Sequence, residues 1–203
     1  MASGNSLPSY RICVHNRGTR KLDYAFLEPA EEKDMPSENN PDWTCYWQRL
    51  WQVADFEYEA IIKFTYIPKS SNQKEILGLC RLGIFPFPDS EDKYFLDISN
   101  IETIQNSQTR PPIYPIGQWL IWYATKEALA RCINNNSGTI VSVEALEKAI
   151  PYYRSKVQMS EVGSRGGAPG EDIYVFRFTK AEGQAFCNRM EATFGYPVLL
   201  SSD

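Results

Sequence analysis

The spacing of apolar and polar residues predicts three β-forming runs in the first half of the chain. Residues 10–15 alternate in the manner of a strand, and the basic turn 16–21 follows. Residues 58–67 and 75–85 flank the polar segment 68–74, which predicts an antiparallel hairpin. The segment 28–42 is rich in Glu, Pro and Asn, which is typical of a loop or a broken helix.

Two stretches have the spacing of a helix instead. In the first, with Asp42 as the predicted N-cap, apolar residues fall on one face: Trp43, Trp47, Leu50, Trp51 and Ala54. We expect these three tryptophans to belong to the core. The second begins at Ile116 and repeats apolar residues on one face at Leu120, Tyr123, Ala124, Ala128 and Cys132.

The stretch from Tyr94 to Met159 contains the order of elements that is most informative about function. A strand over 94–104 has Glu102 near its carboxyl end, and a loop leads into the helix at Ile116. A second strand, 139–143, is followed by a predicted helix that carries Tyr152 and Tyr153. If the two strands are parallel neighbours, the acid and a phenol face the same crevice.

The C-terminal part adds a hairpin and a helix. A glycine-rich segment, 164–170, lies between the strands predicted at 158–162 and 172–178, which is typical of a hairpin tip. Thr179 and Glu182 have the spacing of a capping box, which predicts a helix to about residue 192. The element order predicts an α/β (α+β) fold: one domain over residues 1–203, flexible at 1–9, with a mixed, mostly antiparallel sheet and helices on both faces.

Composition limits the partners and the location. The net charge of -4 gives no broad basic surface, so nucleic acid is not an expected partner. Five cysteines without a CxxC pair argue against a disulfide framework or a metal site and favour reduced thiols in the cytoplasm. No apolar run reaches the length of a membrane span, so we expect no membrane partner. The abundant aromatic residues are compatible with a homodimer surface.

On these residues the chain resembles the GNAT superfamily of acyl-CoA N-acyltransferases over about residues 10–178. In that family, a loop and helix N-terminus bind the pyrophosphate of the coenzyme, and the next strand splays away to admit the pantetheine arm. The resemblance implies acetyl-CoA or another acyl-CoA as co-substrate and a small-molecule or peptide amine as acceptor. It places the coenzyme against Ile104, Arg110, Ile116, Gly117 and Gln118.

The resemblance also implies catalytic roles. An amine acceptor needs a base to remove its proton, and the leaving thiolate needs an acid. Glu102 takes the position of the base and Tyr153 that of the acid. Helix N-termini bind phosphate through unpaired N–H groups and the helix dipole, so no metal is required.

The sequence departs from the family pattern at two places. Pro112 and Pro115 stand where the pyrophosphate loop has Gln or Arg and then Gly, and proline has no N–H to donate. Gln158 and Met159 stand roughly where a Gly-Phe pair follows the tyrosine helix. The alternative hypothesis is therefore a catalytically inactive GNAT-like domain that acts as a ligand-binding or protein-interaction module.

Overall fold

The computed structural model describes residues 7–69, 71–86, 94–104, 112–132, 138–165 and 172–201. In these ranges the chain forms ten strands: β1 (Ser9–Asn16), β2 (Leu22–Pro29), β3 (Glu59–Tyr66), β4 (Glu75–Pro86), β5 (Tyr94–Thr103), β6 (Ile113–Tyr114), β7 (Thr139–Leu146), β8 (Ser160–Arg165), β9 (Ile173–Thr179) and β10 (Val198–Leu200). The same ranges contain three α-helices: α1 (Trp47–Gln52), α2 (Ile116–Arg131) and α3 (Lys180–Phe194).

The chain divides into two compact units, and β4, β5 and α2 contribute residues to both. The first unit comprises Met1–Arg81, Asn100–Leu120 and Met190–Asp203, and the second comprises Leu82–Ser99 and Ile121–Arg189. Strand order is β10-β1-β2-β3-β4-β5 in the first unit, where β6 also pairs with β1, and β4-β5-β7-β9-β8 in the second. The predicted mixed, mostly antiparallel sheet is therefore confirmed.

In the first unit, β1 and β2 form an antiparallel pair from Tyr10↔Leu27 to His15↔Leu22. Alternate residues of this pair are buried, because successive side chains of a strand point to opposite faces: Ile12, Val14, Ala25 and Leu27. Trp119 of α2 is fully buried, and its Nε1–H donates to the carbonyl oxygen of Cys13 at 3.0 Å. A second cluster contains Met35, Trp47, Ile61 and Leu79, with Trp43 and Trp51 partly buried against it.

In the second unit, β5 and β7 pair in parallel, and β9 pairs antiparallel with both β7 and β8. The capping box predicted for α3 is present, because Thr179 N–H donates to Glu182 at 2.7 Å and Glu182 N–H donates to Thr179 Oγ1 at 3.4 Å. The buried part of α2 is apolar almost all around, as expected of a helix that is covered on more than one side: Ile121, Trp122, Tyr123, Ala124 and Ala128.

Several elements differ from the prediction. β2, β6 and β10 were not predicted, and their pairing with β1 supplies hydrogen bonds that none of these segments makes alone. β7 continues to Leu146 where a helix was expected, because residues 139–146 stay paired with β9. Residues 1–6 of the predicted flexible start and residues 166–170 of the predicted hairpin tip lie outside the described ranges. Within those ranges, no helix combines the length and the apolar character needed to cross a bilayer.

Gly78 allows the first turn of α2 to approach β4 closely. A Cβ atom added at this residue would lie 2.8 Å from Ile116 Cγ2, 3.0 Å from Leu120 Cδ1 and 3.4 Å from the Glu102 carbonyl oxygen. Distances this short force a rearrangement of the packed side chains.

We predict that Gly78→Ala lowers the free energy of unfolding by roughly 1–3 kcal/mol, because overpacking a dense core has that cost. Urea denaturation measures the loss. The matched control is Gly18→Ala, since a Cβ there would meet only Asn16 Oδ1 at 3.5 Å, and we expect a change of less than about 1 kcal/mol. Equal stability of the two variants would contradict the packing described for Gly78.

Candidate functional site

Glu102 lies near the carboxyl end of β5 and is only 7% exposed. Its Oε1 accepts hydrogen bonds from the N–H and the hydroxyl of Thr44, both at 2.6 Å. Its Oε2 accepts from Cys45 N–H at 3.1 Å and from Trp47 Nε1–H at 2.8 Å. A carboxylate has about four acceptor sites, so these bonds use its capacity completely.

The same bonds determine the ionisation of Glu102. Burial by itself raises the pKa of this carboxyl, but the hydrogen bonds from Thr44, Trp47 and Cys45 outweigh burial, and the pKa lies below its ordinary value. The side chain is therefore a stable anion. Taking a proton from an acceptor amine would remove at least one of the four bonds, so the contacts describe a structural anchor. The assignment of Glu102 as a catalytic base stays a prediction.

The anchor also explains why α1 is shorter than predicted. The sequence predicts a helix over residues 43–54 with Asp42 as its cap, but α1 begins at Trp47, and its N-cap is Tyr46. The backbone N–H groups of Thr44 and Cys45 donate to Glu102, and this holds the preceding turn outside the helix. Glu102, which lies 58 residues from Thr44 in the sequence, thus accepts the hydrogen bonds of this turn in place of the predicted cap Asp42.

The N-terminus of α2 carries three of the residues predicted to bind the coenzyme. Ile116 is buried, and Gly117 and Gln118 are half-buried in the first turn, where backbone N–H groups have no acceptor within the helix. The preceding residues are not a free phosphate loop: Ile113 and Tyr114 pair with β1 as β6, and the Pro112 carbonyl accepts from Arg17 N–H at 2.7 Å. Arg110 lies outside the described residues.

Ile104, the fifth predicted coenzyme residue, follows β5 directly. Its N–H donates to the Leu77 carbonyl at 3.0 Å, so this amide is occupied by the sheet. Its side chain lines a cavity of about 410 Å³ together with Trp43 and Leu77. This cavity has no local sequence signal, because its walls come from segments tens of residues apart.

The pairing of β5 with β7 is short. Bridge partners run from Leu96↔Val141 to Ile98↔Val143, although β7 continues to Leu146 on its other edge against β9. Over these residues the strands are parallel neighbours, as predicted.

Tyr153 belongs to a π-helical turn, Tyr152–Val157, in the second unit. It is 4% exposed, and its ring stacks on Phe176 with centroids 5.3 Å apart. The hydroxyl of neighbouring Tyr152 is buried and has no hydrogen-bond partner among the described residues. Burial, and secondarily Tyr153, raises the pKa of Tyr152. The sequence analysis gave no role to Tyr152, although the tandem phenols are visible in the sequence.

Gln158 and Met159, which stand roughly where the resemblance expects a Gly-Phe pair, follow the π-helical turn. Gln158 ends this turn with φ 64° and ψ 44°, the left-handed conformation that glycine adopts at helix ends. Met159 is 4% exposed, and its N–H donates to the Tyr153 carbonyl at 3.0 Å.

Comparison with known proteins supports the fold and leaves the family open. No protein-family model matches the chain, and no curated protein matches it in sequence. Solved structures do match. A putative acetyltransferase aligns with a TM-score of 0.54 at 14% identity, over 83% of this chain and 93% of its own. AtaTR bound with AcCoA aligns at 0.51 and 12% identity, over 79% and 96%. The chain therefore has the GNAT acetyltransferase fold that the resemblance implied.

One matching structure corrects an expectation about partners. The KacTA–DNA complex aligns with a TM-score of 0.51 at 14% identity, over 81% of this chain and 99% of its own. The prediction that excluded nucleic acid is wrong, because a chain of this fold occurs in a complex with DNA. The overall charge of a protein says little about one local surface, which is why the composition argument failed.

We predict that Glu102→Gln destabilises the protein at neutral pH. The NH₂ group of the glutamine amide would replace a carboxylate oxygen and would face another donor, Cys45 N–H or Trp47 Nε1–H. The expected loss is roughly 1–3 kcal/mol for a buried donor left unpaired. Since the folded pKa is depressed, the advantage of wild type persists above the ordinary value of 4.5 and shrinks as pH falls through the lower folded pKa. Urea titrations between pH 7 and 3 measure it.

The matched control for that series is Glu147→Gln, which changes an exposed carboxyl and should alter stability by less than about 0.5 kcal/mol at every pH. A Glu102→Gln protein as stable as wild type at pH 7 would refute the anchor. Full stability together with lost acyl transfer would instead identify Glu102 as a base.

We predict that Gln158→Gly stabilises the protein by about 0.5–1 kcal/mol, because a left-handed non-glycine residue costs roughly 1–2 kcal/mol and the added flexibility of glycine removes part of the gain. Thermal unfolding measures the difference. Gln184→Gly, on the exposed face of α3, is the comparison and should destabilise by roughly 1 kcal/mol. A destabilised Gln158→Gly variant would show that the Gln side chain makes an essential contact.

Proposed function

We propose that this protein is an acyl-CoA-dependent N-acyltransferase that transfers an acetyl or other acyl group to an amine. The observation that carries the proposal is the parallel pairing of β5 with β7 in a chain with the acetyltransferase fold. Ligands of open α/β sheets bind outside the carboxyl ends of such strands. The matching AtaTR structure contains AcCoA, which supports the same ligand class here.

The first turn of α2 fits the pyrophosphate of an acyl-CoA. The amides at Ile116 and Gly117 are suited to this group, since a helix N-terminus combines free N–H groups with the positive end of the helix dipole. When bound, the coenzyme supplies an activated thioester.

Within this proposal the two predicted catalytic residues have different roles. Tyr153 is the proton donor, because it takes the position of the acid and its hydroxyl carries a proton that can pass to the leaving thiolate. Glu102 holds the turn before α1, because its four hydrogen bonds leave no acceptor site for another proton. The acceptor amine then loses its proton to water.

We place the protein in the cytoplasm. All five cysteines are free thiols, and Cys80, Cys132 and Cys187 are buried. Burial raises the pKa of Cys132 to about 11, so this thiol is protonated and unreactive at neutral pH. Unpaired thiols of this kind are typical of a reducing compartment.

The second candidate function is a binding or interaction module without catalysis. It is favoured by one observation: Ile113 and Tyr114, next to the expected pyrophosphate loop, are held in the sheet by His15 and Asn16. Amides and carbonyls that pair with β1 are not available to a phosphate. If this candidate function is right, the folded protein does not bind acyl-CoA.

We predict that acetyl-CoA raises the thermal transition and is consumed in the presence of an amine. A ligand at a hundredfold excess over its dissociation constant stabilises by about 2.7 kcal/mol. Tyr153→Phe should keep the thermal shift and lose at least roughly a hundredfold in kcat, since a positioned acid contributes that much. Thermal shift assays and detection of the released thiol measure the two effects.

The control for that variant is Tyr152→Phe, which removes a buried hydroxyl that has no partner among the described residues. We expect unchanged kcat and unchanged or higher stability, because an unpaired buried polar group is unfavourable. The absence of a thermal shift at millimolar acetyl-CoA would refute the acyltransferase function and favour the binding or interaction module. Activity lost in Tyr152→Phe and retained in Tyr153→Phe would overturn the assignment of the proton donor.

A further inference from the structure

The cavity beside Ile104 lies entirely within the first unit and has a defined composition. Its volume is about 410 Å³, and its apolar walls are Ile76, Leu77 and Ile104. Leu77 is buried, whereas Ile76 and Ile104 are half-buried. This volume is at the small end of the range for ligand sites, so it suits a small organic molecule better than a coenzyme or a folded partner.

Trp43 supplies an aromatic wall with a restrained orientation. Its ring meets Trp47 edge to face, with centroids 6.4 Å apart at 86°, and its backbone N–H donates to the Asn40 carbonyl at 3.2 Å. Trp47 is itself held by Glu102 through Nε1. The indole N–H of Trp43 has no partner within the described part of the chain. An indole ring attracts cations through its π face.

The charged groups of the cavity leave one carboxylate uncompensated. Lys74 is paired with Glu28 at 2.6 Å, and Asp34 is paired with Lys63 at 2.6 Å. Glu75 has no ion pair within the described ranges. Each paired group is balanced by its own partner, so the exposed Glu75 gives the cavity lining a net negative charge.

Asp34 adds a hydrogen-bond acceptor of fixed position. Lys63 Nζ and Glu31 N–H both donate to its Oδ2, at 2.6 and 2.8 Å. Its Oδ1 has no donor within the described residues, although the side chain is only 13% exposed. A carboxylate held on one oxygen presents the other to a ligand.

We propose that this cavity binds a monocationic amine with an apolar body. Its ammonium group would be held by Asp34 and Glu75, and the body would lie against Trp43 and the aliphatic walls. Anions are disfavoured, because Glu28 neutralises Lys74 and Glu75 repels them. The identification of this amine as the acyl acceptor rests on the proposed function. The binding of the amine to the cavity does not depend on that function.

The test uses the full chain without acyl-CoA and follows the indole N–H signals of the tryptophans by NMR, with the Trp43 signal assigned by its loss in Trp43→Phe. Three probes of one shape differ in charge: phenethylamine, 2-phenylethanol and 3-phenylpropionate. We expect phenethylamine to shift the Trp43 signal saturably. The alcohol should bind at least about tenfold more weakly, since a lost charged contact of roughly 1.4 kcal/mol has that effect, and the anion should not bind.

Glu75→Gln should weaken phenethylamine binding about tenfold, whereas Glu57→Gln, an exposed carboxylate outside the cavity lining, should not change it. The other tryptophan signals report whether each variant is folded. Equal binding of amine and alcohol, or no shift at millimolar amine, would overturn the inference. If the amine binds and acetyl-CoA has no effect, the amine site is supported and the acyltransferase function is refuted. If acetyl-CoA shifts the thermal transition and the amine does not bind, the acyltransferase function is supported and the amine site is refuted.

Discussion

The first unit depends on one buried carboxylate. In the folded chain, four hydrogen-bond donors from residues 44–47 take the place of the water that would otherwise solvate the charge of Glu102. Burying an ion is unfavourable unless it is fully hydrogen-bonded, and bonds to a charged acceptor are the stronger kind. The arrangement therefore links the end of β5 to the start of α1 and places Trp47 in the cluster of Met35, Ile61 and Leu79.

Two other features follow from that link. Because Trp47 is fixed, the edge-to-face contact restrains Trp43, and Trp43 forms a wall of the cavity next to Ile104. The oxygens of Glu102 accept four hydrogen bonds, and its assignment as a catalytic base stays a prediction. The residue that suggests catalysis in the sequence thus also shapes a neighbouring cavity in the structure.

The second unit holds one residue in an unfavourable backbone conformation. Gln158 is left-handed at the end of the π-helical turn, and neighbouring Met159 is buried. Tertiary packing can maintain a backbone conformation that local sequence preference does not favour.

The sequence by itself determined the elements whose signal is local. Period-2 alternation located β1, and runs of β-forming residues located β3, β4 and β9. Helical spacing located α2, and Thr179 with Glu182 marked the start of α3, because these patterns arise from neighbours within a few residues. Tertiary structure alone decided the role of Glu102, the start of α1, the strands β2 and β10 and the position of Trp43. Each of these depends on partners from distant parts of the chain, whose hydrogen bonds and contacts exist only after the chain has folded.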